Sequence, residues 1–155
     1  MPAPPTLRQL LEAERHGVLA TLSARQQGWP FASVAAFATH VNGEPLLLLS
    51  ELAEHTRNVR ADPRASLLVQ ASEALDDPQS GARVTLLGRL VPLAQDHDDA
   101  ARERYLARHP QAREYFALGD FRLWLLDPKH ARFVNGFGDM GWLDGEPLLA
   151  ALREC

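Results

Sequence analysis

Residues 30–63 read PFASVAAFATHVNGEPLLLLSELAEHTRNVRADP, and this stretch contains the clearest structural signals of the chain. Two apolar runs, PFASVAAFATHV and PLLLLS, flank Asn42 and Gly43. An Asn-Gly pair between such runs is typical of a type I′ hairpin turn, whose two central residues both need a positive φ. The pattern therefore predicts two long antiparallel strands joined by a tight turn.

A short helix is predicted directly after the second strand of this hairpin. Ser50 is a favoured N-cap residue, so the helix should begin at about residue 51, and it should end at Asp62 because the next residue is a proline. The free N–H groups and the dipole of a helix start favour an anion by roughly 0.3–1 kcal/mol. His55, Thr56 and Arg57 follow within the first two turns, so the segment is a candidate phosphate site.

The rest of the chain adds strands joined by short connections and a few helices. Thr6 and Gln9 form a capping-box pattern at the start of a first helix, and residues 96–118 read as two helices divided at Pro110. Gly88 lies inside a strand and indicates a bulge or a close backbone approach. The remaining predicted elements are strands GVLATLSA from Gly17, RASLLVQ from Arg64, ARVTLLGRLVPL from Ala82, FRLWLLD from Phe121 and KHARFVN from Lys129, with Pro128 between the last two, and a short helix from about Glu146.

About seven strands with tight connections predict a mainly β fold with peripheral helices, an antiparallel barrel or sandwich of the α+β class. At 155 residues the whole chain, 1–155, should form a single domain. The net charge of −4 and the scattered arginines disfavour nucleic acid, and the longest apolar runs are far below the roughly 20 residues of a bilayer-spanning helix.

Several familiar chemical motifs are missing or misplaced. The single cysteine, Cys155, allows no internal disulfide and fits a cytoplasmic protein, as does an N-terminal segment without a secretory pattern. The six histidines show no metal-ligand spacing, so no metal site is predicted. Gly136, Gly138 and Gly141 spell GxGxxG, but no βαβ unit surrounds them, so a dinucleotide site is rejected.

The order of these elements resembles the pyridoxamine-phosphate-oxidase-like, FMN-binding split-barrel superfamily over nearly the whole chain. The segments GVLATLSARQQGWPFASVAAFATH, SELAEHTRNVRADPRASLLV, ARVTLLGRL and RFVNGFGDMGWL look most like its haem-iron-utilisation branch. The resemblance implies a six- to seven-stranded antiparallel split β-barrel. It also implies a homodimer with FMN at the subunit interface.

The resemblance also implies roles for individual residues. The flavin ring would lie along the second strand at Ser33, Val34 and Ala35, although a tightly packed barrel strand explains each of these residues equally well. The phosphate would meet the helix after the third strand, and further contacts to the flavin would come from later segments. The implied cofactor residues at these places are Ser50, His55, Thr56, Arg57, Arg83 and Trp142.

Each of these assignments has an ordinary structural alternative. Arg57 can instead pair with Glu54 on the helix surface, and Arg83 can be a surface strand residue. The Ser-Arg-Lys phosphate grip of true pyridoxamine phosphate oxidases is absent, because Ala53, Glu54 and His55 occupy those positions. Vitamin B6 oxidation is therefore disfavoured.

Three functions remain open from the sequence. The leading hypothesis is an FMN-dependent oxidoreductase that passes electrons to a small-molecule acceptor, without any side chain that identifies itself as catalytic. The first alternative is a haem-binding or haem-degrading utilisation protein, with His16, His40 or His130 as possible iron ligands. The second is a flavin-binding or interaction module without turnover.

Overall fold

The computed structural model of the chain describes residues 3–74, 76–94, 99–136 and 139–154. Seven antiparallel strands form one sheet in the order β3-β2-β1-β4-β5-β6-β7. The strands are β1 His16–Leu22, β2 Pro30–Thr39, β3 Pro45–Ser50, β4 Arg64–Gln70, β5 Arg83–Pro92, β6 Phe121–Gly136 and β7 Asp139–Asp144. The helices are α1 Leu7–Ala13, α2 Glu54–Ala61, α3 Asp99–Arg108, α4 Arg113–Ala117 and α5 Gly145–Arg153, with short 3-10 turns at Ser72–Ala74 and Pro110–Ala112.

The sheet closes into a six-stranded barrel because β3 also pairs with the first half of β6. The second half of β6 pairs with β7, which lies outside the closed ring. This arrangement confirms the predicted antiparallel split barrel with peripheral helices. The division at Pro110 is also confirmed, since a 3-10 turn begins there between α3 and α4.

Strict alternation along the strands builds the barrel core. Leu19, Leu67 and Leu86 are successive register partners on β1, β4 and β5, and each is fully buried. Ala131 continues this row on β6 and is also fully buried. Neighbouring residues on each strand point to the opposite, outer face of the sheet, because side chains alternate between the two faces of a strand.

The hairpin between β2 and β3 forms, but its predicted turn type is wrong. The N–H of Gly43 donates to the carbonyl of His40 at 2.9 Å, so Val41 and Asn42 are the central residues of the turn. Gly43 has φ +93°, whereas neither central residue has a positive φ. This is a type I turn followed by a left-handed glycine. The carbonyl of Leu152 in α5 lies where a Cβ of residue 43 would stand, so α5 packs directly on the turn.

The prediction at Gly88 is confirmed, and it explains an error at Pro128. A Cβ on residue 88 would collide with the carbonyl oxygen of Asp127, and the β5–β6 register shifts between Leu87 and Gly88. Pro128 does not separate two strands. It lies inside the continuous strand β6, where the bulge accommodates a residue without an N–H donor.

One helix start and one whole strand differ from the prediction. Helix α2 begins at Glu54 with Ala53 as N-cap, and the Ser50 hydroxyl accepts a hydrogen bond from the N–H of Leu52 at 3.1 Å instead. Strand β7 was not predicted, because DMGWLD has little apolar alternation and depends on its pairing with β6.

No helix in the described part of the chain is long and apolar enough to cross a bilayer.

Candidate functional site

The start of α2 brings together two of the predicted residues from separate elements. Ser33 on β2 and His55 on α2 share a hydrogen bond of 3.0 Å between Oγ and Nδ1. Burial lowers the pKa of His55 below its ordinary value, because an imidazolium loses solvation there. The imidazole is therefore neutral at pH 7 and does not present a positive charge to a phosphate.

Other residues of the predicted phosphate segment hold α2 in place. The Thr56 hydroxyl is buried and donates to the carbonyl of Ser50 at 2.6 Å. Arg57 is exposed, and its Nη1 lies 3.8 Å from Oε2 of Glu54. This ion pair on the helix surface is the structural alternative to phosphate binding that the sequence allows for Arg57. Neither side chain is arranged as an evident anion ligand in this structure.

Asn58, which the sequence did not single out, fixes α2 to the barrel. Its Nδ2 donates to the hydroxyl of Thr21 and its Oδ1 accepts from the N–H of Ala24, both at 3.0 Å. The side chain is fully buried. A polar residue between Arg57 and Val59 gives no pattern that distinguishes such an anchor from a surface residue.

The predicted flavin strand divides between the two faces of the sheet. Ser33 and Ala35 point into the barrel, because Leu19, the register partner of Ser33, is fully buried. Val34 points outward and is 74% exposed. These three residues therefore do not line one pocket through their side chains.

Trp142 lies on the same outward row of the sheet as Val34. Register partners across the row are Val34, Val18, Leu68, Thr85, Arg132 and Trp142. Directly opposite residues face the same side, so Val34 and Trp142 are on one face at opposite edges of it. Trp142 is 57% exposed, and the guanidinium of Arg132 lies 5.8 Å from its ring centre.

Arg83 is not part of the α2 site. Its Nη1 donates to the carbonyls of Gln79 and Gly81, at 2.7 and 3.3 Å, and so ties down the loop before β5. Its register partners are Gln70 and Val134. Within the described residues, Arg83 has no hydrogen bond to α2.

A concave site lies on the outer face, one row away from Val34 and Trp142. It is a cleft of about 420 Å³ at the ends of β1 and β4 and along the bulged part of β5 and β6. Its floor is largely apolar and its rim is basic. The lining residues are Ala20, Thr21, Leu22, Pro30, Arg64, Ala65, Ser66, Leu87, Gly88, Arg89, Lys129 and His130.

The bulge explains why two adjacent residues of β6 both line this cleft. Leu87 pairs with His130 and Gly88 pairs with Pro128, so Lys129 has no register partner on β5. One extra residue reverses the alternation of faces beyond it. His130 therefore points outward beside Lys129, and Ala131 returns to the core.

One cation at the rim makes no direct ion pair. Arg64 binds Asp62 at 2.7 Å, and Lys129 binds Asp127 at 3.0 Å. Arg89 makes no direct ion pair within the part of the chain that the structure describes, although it lies close enough to Asp62 to help Arg64 lower the pKa of that carboxyl. An arginine binds a carboxylate or phosphate through two parallel hydrogen bonds, so Arg89 is the residue best suited to an anionic group of a ligand.

Only indirect signals for this cleft are present in the sequence. Gly88 indicates a bulge or a close backbone approach, but nothing in the sequence singles out Arg64 or Arg89. Their convergence depends on the pairing of Arg64 with Arg89 in the β4–β5 register, which a single sequence does not specify.

The closed six-stranded ring and the extra strand β7 define the class of antiparallel split-barrel proteins. Within that class, a family described as CREG, beta-barrel matches residues 2–148. The chain belongs to this family. Distant solved structures also share the fold, among them a Clostridium acetobutylicum protein described as of the pyridoxinephosphate oxidase family, with 14% identity, a TM-score of 0.64, and coverage of 87% of this chain and 89% of that one.

Three relatives are more similar in sequence. The chloroplastic heme oxygenase HOZ of Arabidopsis thaliana is 35% identical over 130 residues, which are 84% of this chain and 39% of that protein. Heme oxygenase HutZ of Vibrio cholerae is 29% identical over 153 residues, covering 94% of this chain and 83% of that protein. A heme binding protein from Mycobacterium smegmatis has 37% identity and a TM-score of 0.84, over 92% of this chain and 58% of that one.

These relatives confirm the resemblance to the haem-utilisation branch. The chain spans less than two thirds of the Arabidopsis and Mycobacterium proteins. The FMN assignment, which led the hypotheses drawn from the sequence, stays a prediction.

Proposed function

We propose that this protein binds haem in the outer cleft and acts in haem utilisation. The observation that carries the proposal is the combination of an apolar floor with a rim containing Arg64, Arg89 and Lys129. Haem is a flat apolar macrocycle that ends in two carboxylates, so it needs both kinds of surface side by side. The names of the relatives, which are heme oxygenases and a heme binding protein, support the same choice.

The size and chemistry of the cleft fit such a ligand. Its volume of about 420 Å³ lies within the roughly 300–1,000 Å³ of small-molecule sites. Leu22, Pro30 and Leu87 supply apolar contact area, and Arg89 is available for a propionate. When bound, haem iron supplies the redox and oxygen chemistry, while the protein supplies binding, orientation and the exclusion of water.

We also infer that two copies of the chain associate through the outer sheet face. Val18, Val34, Met140 and Trp142 are large apolar residues of this face and are exposed by 37–74%. Several exposed large apolar side chains that share one sheet face form a patch of the kind that marks an interaction surface. The patch adjoins the cleft, so association of two copies would cover a ligand bound there.

FMN binding is the second candidate, and the Ser33–His55 hydrogen bond at the start of α2 is the observation that favours it. That pair lies where the superfamily resemblance predicts the phosphate of FMN to bind. If FMN is the ligand, Arg57→Ala should weaken its binding, because Arg57 is the exposed cation nearest to that site in sequence.

The ligand is identified by titrating the purified protein separately with haemin and with FMN, followed by absorption spectroscopy. We expect a saturable Soret band with haemin at one equivalent per chain, and weaker or no uptake of FMN. Uptake of FMN without haemin would overturn the proposal in favour of the flavoprotein, and uptake of neither would favour an interaction module.

Turnover is a separate question from binding. Addition of a reductant and oxygen to the haemin complex should bleach the Soret band if the chain degrades haem, as two of its relatives are named for doing. A stable Soret band would assign it to binding alone. A cytoplasmic location remains part of the proposal, supported by the single cysteine, Cys155.

A further inference from the structure

We propose that His130, held in position by Asp144, is the axial ligand to haem iron in the outer cleft. This inference rests on the proposed function and assigns a particular residue to it. Asp144 is the register partner of His130 across β6 and β7, and its carboxylate Oδ1 lies 2.5 Å from Nδ1 of the imidazole.

The hydrogen bond decides which nitrogen of His130 faces a ligand. A carboxylate only accepts hydrogen bonds, so the proton between the two groups belongs to Nδ1. In the neutral imidazole the lone pair is then on Nε2. Among the residues that the structure describes, Nε2 has no hydrogen-bond partner. A histidine whose second nitrogen is bound to a carboxylate is the arrangement that orients metal ligands and raises their basicity.

The place of His130 in the fold fits the same role. The bulge at Lys129 turns it outward into the cleft, beside the apolar floor and close in sequence to the basic rim. Its side chain is 57% exposed, so a ligand can reach it. Porphyrin contacts and an iron ligand would therefore come from one surface.

The other described histidines are less suitable. His109 is buried and its Nε2 donates to the carbonyl of Phe37 at 2.7 Å. His55 binds Ser33 through Nδ1, and the Nδ1 atom of His40 is buried without a partner. His16 is exposed but does not line the cleft. His97 lies outside the described residues.

The test compares haemin with metal-free protoporphyrin IX, because only haemin contains iron. For His130→Ala, we expect haemin affinity to fall by at least about tenfold, the lower bound for losing even an outer-shell partner of a metal ligand, and the axial histidine signature to disappear from the resonance Raman and EPR spectra. Added imidazole should restore that signature. Protoporphyrin affinity should change less than about twofold, which also shows that the variant is folded with its cleft intact. The matched control, His16→Ala, should behave as wild type with both probes.

The outcomes separate this inference from the proposed function. If wild type does not take up haemin, the proposed function fails. If wild type binds haemin with a histidine signature that His130→Ala retains, haem binding stands and the assignment of His130 is wrong. Equal losses of haemin and protoporphyrin would also overturn the assignment, because they would show a contact with the macrocycle in place of a bond to iron.

Asp144 is a positioning residue in this proposal, and its test uses the midpoint potential of the bound iron. The carboxylate gives the imidazole more anionic character and so stabilises ferric over ferrous iron. Asp144→Asn should therefore raise the Fe(III)/Fe(II) potential while the axial histidine signature is kept. An unchanged potential would show that Asp144 does not act through His130.

Discussion

Asn58 shows how one buried side chain determines where α2 lies. Its side chain is fully buried, and both polar atoms of the amide have hydrogen-bond partners. Nδ2 donates to the hydroxyl of Thr21, and Oδ1 accepts from the N–H of Ala24. Asn58→Ala leaves the buried Thr21 hydroxyl without this donor and removes the bond to the Ala24 N–H, which should lower the free energy of unfolding by about 1–3 kcal/mol.

Urea unfolding measures this loss. Arg57→Ala is the matched control, because the adjacent Arg57 makes only an exposed pair with Glu54, and its removal should change stability by no more than about 0.5 kcal/mol. Similar losses in the two variants would show that Asn58 is not an anchor.

The buried His109 makes stability depend on pH in a defined direction. Burial lowers the pKa of its imidazole, and the nearby Arg15, Arg108 and His16 lower it further, while the hydrogen bond to Phe37 acts in the opposite sense. Below pH about 6.5 the unfolded chain therefore takes up the proton more readily than the folded one, so stability falls with falling pH.

The melting temperature should fall between pH 7.5 and pH 5.5 in wild type, and it should fall less in His109→Gln. The decline will not vanish, because His55 also has a lowered pKa. A decline of the same size in the variant would contradict the assignment to His109.

At the scale of the element, the bulge between β5 and β6 links the fold to the cleft. A Cβ at residue 88 would meet the carbonyl oxygen of Asp127, so Gly88→Ala must push the two strands apart. We expect a loss of about 1–3 kcal/mol in stability, measured by thermal unfolding. Gly141→Ala is the control, since nothing lies within 4 Å of a Cβ there. A Gly88→Ala variant as stable as Gly141→Ala would show that the close approach is not required.

The elements also show what a sequence can and cannot predict. The hairpin, the end of α2 and the bulge at Gly88 were predictable, because each depends on local preferences of glycine, asparagine or proline. The continuity of β6 through Pro128 and the existence of β7 were not, because both depend on pairing with distant strands. The cleft was missed for the same reason: Arg64 and Arg89 are 25 positions apart and meet only through the β4–β5 register.

At the scale of the whole molecule, the exposed apolar row on the outer sheet predicts self-association. Val34→Glu places a charge at the most exposed of the apolar residues named for this face and should convert a dimer to a monomer in light scattering after gel filtration. Val41→Glu is the matched control, because Val41 is also exposed, by 61%, but lies in the β2–β3 turn. A wild-type monomer, or a Val34→Glu dimer, would show that this face is not the interface.

The most direct test of haem binding in the outer cleft is the dissociation constant for haemin of wild type, Arg89→Glu and Arg113→Glu, measured side by side by Soret titration. Arg89 is at the cleft rim, whereas Arg113 is exposed on α4 and does not line the cleft. Loss of a charged hydrogen bond of about 1.5–3 kcal/mol corresponds to roughly 10- to 100-fold in affinity, so Arg89→Glu should bind haemin at least about tenfold more weakly. Arg113→Glu should bind as wild type does. Equal haemin affinities in all three proteins would contradict binding in this cleft.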